Sequence, residues 1–393
     1  ARGEGVRQSD INAYAWATLA AAGGEPRAQA LADQLRPDLA PGSERIAADL
    51  VAPFDRRALD ARLMPRTVAA ESDTALCKTR RLPPLEYPRD AAQQGIQGNV
   101  YVQFAVMPDG TTRNPRVLYA LPAGVFERAV RQYVLRFTYR TRPLEAAPAH
   151  CHMMFRFTAA GEPVWAYPGL LKLVDSTRAK AEQGDVQSQY FYGLLVSGLP
   201  QFAPRAHEAL PWFVKAAQAG DRRAQYQVGA SLLLGFGCEC EESKAVVWLR
   251  RAAESDQPDA QVTLAQLALR GTPAEADLER AKVWLERAAA NGDHDGMYYL
   301  AALLAATPTA AYRDPTRALA LLDKVKKDLG GDPAEFEIRA AAQADGGAFE
   351  QAVESERTAI ERARRLQWDV GPLQARLERY QTHQPWYGNL LTF

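Results

Sequence analysis

The sequence predicts a multidomain chain, with helical repeats stacked as an α-solenoid on both sides of a small α+β domain. Two observations predict it. Trp212, Trp248 and Trp284 recur at 36-residue intervals in one frame, and a repeat of that length is a pair of stacked helices. Between residues 98 and 137 the apolar period instead changes from two to three or four, as it does where strands give way to an amphipathic helix. A chain of 393 residues has room for both kinds of unit. The expected division is 1–62 as the truncated end of a repeat array with capping helices, then a linker at 63–80. The α+β domain follows at 81–165, further repeats at 169–309, and another helical unit with a C-terminal cap at 310–393.

Taken from the N-terminus, Gly3, Gly5, Ala13 and Trp16 repeat the spacing of Gly235, Gly237, Ala245 and Trp248. Ala1 thus falls inside a repeat, and the chain is expected to be a fragment or a processed product. Residues 25–62, with LADQLRPDLAPGSERIAADL, read as a pair of capping helices.

The α+β domain opens with strict alternation. Val100, Val102, Phe104 and Val106 lie on one side, and Tyr101, Gln103 and Ala105 on the other, which predicts a half-buried strand. Pro108-Asp109-Gly110 supplies a tight turn, with Gly110 free to take a positive φ. A second extended run at Pro115–Tyr119 makes a hairpin. From Val125 to Phe137 the apolar residues fall three or four apart, so an amphipathic helix should cover the hairpin.

The repeats carry the frame AxxW, then an aliphatic or aromatic residue, two more, and an Ala pair (216–217, 252–253, 288–289). Small Ala pairs allow close helix approach while Trp fills the groove. Gly184, Gly220 and Gly292 share one position, taken by Asp256 in the remaining copy, and Gly220 and Gly292 are expected to end a helix in left-handed geometry. These residues resemble Sel-one-like repeats, relatives of the tetratricopeptide class, over about 170–305. Residues 314–385 resemble an ordinary tetratricopeptide unit, with Phe349, Ala352 and Ala359 at fitting positions and a capping helix at Leu373–Tyr380.

Upstream of the hairpin, Tyr87-Pro88, a short helix over Arg89–Gln94, and Gly95 and Gly98 complete a second pattern. With PDG at 108–110, FERAV at 126–130 and RFTYR at 136–140, residues 83–160 resemble the C-terminal domain of the TonB family. The resemblance implies a three-stranded antiparallel sheet with helices on one face. It also implies that an extended peptide of an outer-membrane transporter adds to the last strand by β-augmentation. The corresponding edge is His150–Thr158. There Cys151, Met153, Phe155 and Phe157 would face the core, and His150, His152, Met154, Arg156 and Thr158 the opposite face. Completing the fold is the other reading of this strand.

Composition narrows the partners. Basic and acidic residues balance at 47 each, which gives no electrostatic reason to expect nucleic acid or an anionic membrane. No apolar run in the sequence reaches the roughly 20 residues of a membrane span, although an inner-membrane anchor upstream of Ala1 would fit the resemblance. Four cysteines, Cys77, Cys151, Cys238 and Cys240, suit an oxidising compartment. A Cys77–Cys151 disulfide and two buried thiols both fit. Cys238-x-Cys240 lacks the second ligand pair of a zinc site, and His150-x-His152 lacks a third ligand. Gly229-Ala230-Ser231 lacks the second Gly of a nucleophile elbow, and nothing like a phosphate-binding loop follows Gly3-Glu4-Gly5 or Gly235-Phe236-Gly237.

No catalytic residue, cofactor or metal is therefore expected. The expected function is that of a periplasmic, non-enzymatic interaction protein. Its TonB-like domain would bind the N-terminal segment of a TonB-dependent transporter or another envelope protein, with the repeats as docking scaffold. The alternative is a pure repeat scaffold with that domain as a spacer.

Overall fold

The computed structural model describes residues 9–22, 25–52, 62–67, 79–81, 85–139, 149–157, 168–198, 208–271 and 273–390. The chain divides into two compact units, Ala1–Arg66 and Thr67–Phe393. In the first, helices α1 (Asp10–Ala22), α2 (Pro26–Leu35) and α3 (Ser43–Val51) follow one another. Ala15, Ala47 and Val51 form their small core, with Ile11, Tyr14 and Leu19 against it. Trp16 is half exposed, whereas its sequence counterpart Trp248 is fully buried.

The second unit begins with the α+β module. Its elements are β1 (Thr79–Arg81), α4 (Arg89–Gln93), β2 (Gly98–Val106), β3 (Thr112–Leu121), α5 (Glu127–Val134), β4 (Thr138–Tyr139) and β5 (Ala149–Phe157). Strands β3, β2 and β5 form an antiparallel sheet in that order, and β1 pairs with β4 in a two-stranded ribbon. Gly110 adopts a φ of 86° in the hairpin turn, and Asp109 accepts hydrogen bonds from the Thr111 amide (2.8 Å) and hydroxyl (2.6 Å). The second strand is longer than Pro115–Tyr119. Register shifts flank Val102–Gln103 of β2, which lets the pair twist and continue. Val100, Val102, Phe104 and Val106 pack under α5 with Phe126, Val130, Val134, Phe137 and Phe157.

The half-buried reading of β2 is corrected. Tyr101 and Ala105, on its second face, are also buried, because that face lies against the repeats.

Helices α6 (Pro168–Glu182), α7 (Val186–Gly198), α8 (Leu210–Gln218), α9 (Arg222–Leu234), α10 (Glu242–Glu254), α11 (Pro258–Ala268), α12 (Glu275–Ala290) and α13 (His294–Ala306) form the repeats. Within each pair the turn is built alike. Gly184, Gly220 and Gly292 have φ of 94°, 98° and 81°. The next residue, Asp185, Asp221 or Asp293, accepts an amide of the following helix, a side-chain cap. Asp256 takes the left-handed position itself, at φ 57°, and Arg287 reaches its carboxylate at 2.7 Å. A second period of 36 emerges in three buried glutamines. Gln189, Gln225 and Gln261 donate to the carbonyls of Ala181, Ala217 and Ala253 at 3.2, 3.3 and 3.0 Å. Each bond ties the second helix of a repeat to the first and satisfies a carbonyl at its C-terminal end. Lys215, Arg251 and Arg287 lie over Trp212, Trp248 and Trp284, 4.2, 4.9 and 5.2 Å from the ring centroids.

Helices α14 (Pro315–Leu329), α15 (Pro333–Asp345), α16 (Phe349–Arg365) and α17 (Gly371–Gln381) continue the stack. Their core encloses an ionic cluster. Buried Arg376 contacts Glu356 (Nε to Oε1, 3.1 Å) and Glu337. Burial pushes the Glu356 carboxyl up to about 8 against the opposing pull of Arg376. Among the described residues, no helix is long and apolar enough to cross a membrane.

Two outcomes follow. Gly220→Ala forces a side chain into left-handed geometry and should lower stability by about 1–2 kcal/mol, read as a lower melting temperature with unchanged circular dichroism. Glu356 holds its proton more tightly folded than unfolded. Its contribution is therefore complete below about pH 4.5, the ordinary glutamate value, and is lost as pH rises through about 8. Denaturation of wild type should show stability falling between about pH 6 and 8, by on the order of 2 kcal/mol, and Glu356→Gln should flatten that slope.

Candidate protein-interaction site

Among the described residues both faces of the module's sheet are covered, and its outer strands β3 and β5 each keep one open backbone edge. On the helix side, Cys151, Phe155 and Phe157 of β5 are buried and Met153 is partly so. Tyr87 donates its hydroxyl hydrogen to the Ile96 carbonyl and stands edge-on to Phe126 and Phe157 at 5.8 and 5.5 Å. Pro88 precedes α4 as its capping residue. Gly98 cannot carry a side chain, since a Cβ there would lie 2.4 Å from the Leu121 carbonyl oxygen. These positions shape the core under the strand.

Strand β5 pairs along its whole length with β2, from Gly98 opposite Phe157 to Val106 opposite Ala149. Among the described strands it has no second neighbour, and such an edge is a template for another strand. His150 stands opposite Ala105, His152 opposite Gln103, Met154 opposite Tyr101 and Arg156 opposite Asn99. Arg156 is exposed. Thr158 and Cys77 lie outside the described residues. On that opposite face His152 is partly covered: its ring lies 5.6 Å from Tyr101 and 6.0 Å from Phe236. Burial there lowers its pKa and favours the neutral imidazole. Phe236 comes from a repeat turn flanked by Gly235 and Gly237, whose φ values are 70° and 72°. Cys151 is disulfide-bonded, while Cys238 and Cys240 are free.

The opposite face of the sheet docks on the second helices of the repeats, and a buried arginine organises the contact. Arg116 of β3 is 2% exposed. It donates from Nη1 to Thr263 Oγ1 (2.7 Å) and Gln266 Oε1 (3.1 Å), and from Nη2 to the Asp259 carbonyl (2.8 Å). Its Nε lies 3.6 Å from Asp295 Oδ2. Arg131 of α5 bridges the Pro115 carbonyl (2.8 Å) and Asp295 Oδ1 (2.9 Å). Asp259 and Asp295 occupy the same position in successive repeats, 36 apart. Burial alone would lower the Arg116 pKa, but the fields of Tyr226, Asp259 and Asp295 outweigh it and hold the guanidinium charged. Burial raises the Asp259 carboxyl, with Arg116 opposing.

Further contacts extend the docking to both ends. Arg113 lies over the Trp368 ring at 4.3 Å, Gln132 donates to the Gly330 carbonyl at 3.2 Å, and the Asp369 amide donates to Asp109 at 3.1 Å. Leu135 packs with Ala359, Ile360, Trp368 and Leu373, and Thr67 bridges Cys238 as an isolated antiparallel pair. The chain's own sheet covers this repeat face where Arg116 and Tyr101 meet it. Among the described residues, no cluster of three His, Cys, Asp or Glu could hold a metal ion.

Replacing Arg116 strands carboxylates that are only partly wet. A fully buried orphan costs about 3–5 kcal/mol; here Asp259 is a third exposed and Asp295 keeps Arg131. Arg116→Met should therefore cost about 2–3 kcal/mol in chemical denaturation and speed amide exchange in β2 and β3. Adding Asp259→Asn should recover part of the loss.

Comparison with known proteins places these elements. Residues 83–159 match the family model described as the Gram-negative bacterial TonB protein C-terminal. Residues 1–25, 186–221, 222–257 and 258–293 match the Sel1 repeat. Protein TonB of Escherichia coli (strain K12) is 37% identical over 75 residues, 19% of this chain and 30% of that protein. Protein TonB of Pseudomonas aeruginosa is 37% identical over 65 residues, 16% of this chain and 19% of that one. The chain thus spans less than a third of these relatives. A Sel1 repeat protein from Oxalobacter formigenes shares 21% identity over 51% of this chain and 85% of its own, with a TM-score of 0.39. The solution structure of the Pseudomonas aeruginosa TonB C-terminal domain shares 28% identity over 24% of this chain and 97% of its own, with a TM-score of 0.21. The chain carries a TonB C-terminal domain set between Sel1 repeats.

Proposed function

We propose that this protein is a non-enzymatic interaction protein of the bacterial envelope. Its module takes up an extended peptide at the open edge of β5, and the repeats hold that module in place. The observation that carries this reading is the sheet order β3-β2-β5, in which β5 has a full-length partner on one side only among the described strands. An added strand would gain main-chain hydrogen bonds, and alternate side chains would give selectivity. His152, Met154 and Arg156 are the positions assigned to that selectivity, with His150 and Thr158 completing the set by sequence register. The TonB resemblance points to the N-terminal segment of a TonB-dependent transporter as the peptide. A disulfide at Cys151 fits an oxidising compartment such as the periplasm. Cys77 is its proposed partner, since Cys238 and Cys240 are free.

A second reading has its own support. The back of the sheet is spent on the repeats through Arg116 and Phe236, so the module also suits a rigid spacer in a repeat scaffold. Peptides from transporter N-termini distinguish the two. Strand addition predicts saturable binding, shifts of β5 amide resonances, and loss of affinity in Arg156→Pro. No binding at about 10 mM peptide, far weaker than useful recognition, would leave the spacer reading.

A further inference from the structure

We propose that a cavity between the TonB-like module and the C-terminal helices is a binding site for the carboxylates of an acidic peptide. The cavity has a volume of about 310 Å³, at the small end of ligand pockets, and lies where such sites concentrate, between packed units. Arg136 reaches it from the end of α5, and Arg362 and Arg365 from α16. Leu135 and Leu366 add apolar wall beside the guanidinium groups. That mixture suits a polypeptide segment with an acidic side chain next to an apolar one.

The charges there are available for exchange. Arg136 pairs at 3.1 Å with Glu86, which is well exposed, and Arg365 pairs with Glu361, where both partners are exposed. Exposed pairs of this kind contribute little stability, so an incoming carboxylate can take their place. Among the described residues Arg362 donates one hydrogen bond, to the Gly331 carbonyl at 2.9 Å; it lies over Phe336 at 4.5 Å and its charge also acts on Glu335. A guanidinium has five N–H donors in a planar fork that matches a carboxylate. The negative groups of the lining are Glu86 and Asp332. Asp332 is buried and accepts the Ala334 amide at 3.0 Å as a helix cap, so it is committed elsewhere.

The site is also built with little room for alternatives. A Cβ on Gly331 would fall 1.8 Å from Arg362 Nη1, and one on Gly330 would fall 2.3 Å from Gln132 Nε2. Gly330 and Gly331 have positive φ of 61° and 84°. The Gly330-Gly331 turn therefore admits one side chain from the module and one from α16, and these set the cavity's floor. This reading is independent of strand addition at β5.

Isothermal titration of the whole chain with the peptide N-acetyl-Glu-Leu-Glu-amide tests it, beside the Gln-Leu-Gln analogue and inorganic phosphate. The acidic peptide should bind saturably and weaken with added salt, and the neutral analogue should not bind. Arg136→Gln with Arg365→Gln changes two exposed side chains and should leave the melting temperature within a few degrees. That variant should lose affinity by about tenfold, equivalent to about 1.4 kcal/mol. Absence of saturable binding to wild type overturns the proposal, as does equal binding by the folded double variant. Phosphate binding more tightly than the peptide overturns the assignment to a carboxylate peptide.

Discussion

The burial of Arg116 is the constraint around which the second unit is arranged. A guanidinium removed from water must find its donors' partners in fixed places. Here they come from one helix of the last matched repeat segment and from the Asp295 carboxylate just beyond it. Two successive repeats must therefore hold their spacing for one strand to dock. Arg131 adds a second tie to Asp295, so α5, β3 and two repeats share one network. Such a network confers register as much as affinity, because a shifted sheet would part Arg116 and Arg131 from the repeat aspartates.

With the sheet fixed from behind and covered by α4 and α5 in front, the exposed backbone of the module is confined to its edges. A binding edge on a rigid support loses less entropy on meeting a peptide than one on a freely moving domain. The aromatic contact of Phe236 with Tyr101 and His152 reaches β5 itself, so the repeats stabilise the strand that stands open. The same geometry explains why the repeat face facing the sheet is not free for outside partners.

Much of this fold was legible from local pattern. The 36-residue period, the left-handed turn glycines and the hairpin turn at Asp109-Gly110 depend on residues within a few positions of each other. Strand β3 ran beyond its expected ends at Pro115 and Tyr119, since register shifts carry pairing through positions that alternation alone does not mark. The buried glutamines Gln189, Gln225 and Gln261 had a visible period, but polar residues at that spacing carry no apolar signal. For the candidate edge, sequence gave the inward side chains Cys151, Phe155 and Phe157. It carried no sign of what covers His152, since that cover comes from a turn 84 positions further along the chain.

By itself the sequence determined the repeat helices, the hairpin and the apolar side of its first strand, because period and turn chemistry act over short stretches; the short β1–β4 ribbon carries no such signal. Only the tertiary structure decided what lies against the second face of the sheet. Arg116 meets partners 143 and 147 residues away, and Arg131 meets Asp295 at a separation of 164. An arginine within an alternating strand and an aspartate in a repeat helix each look like ordinary surface residues on their own. They become a largely covered pair only when stacked repeats bring positions 259 and 295 beneath one strand. The physical reason is that charge pairing is set by proximity in space, whereas apolar period is written along the chain.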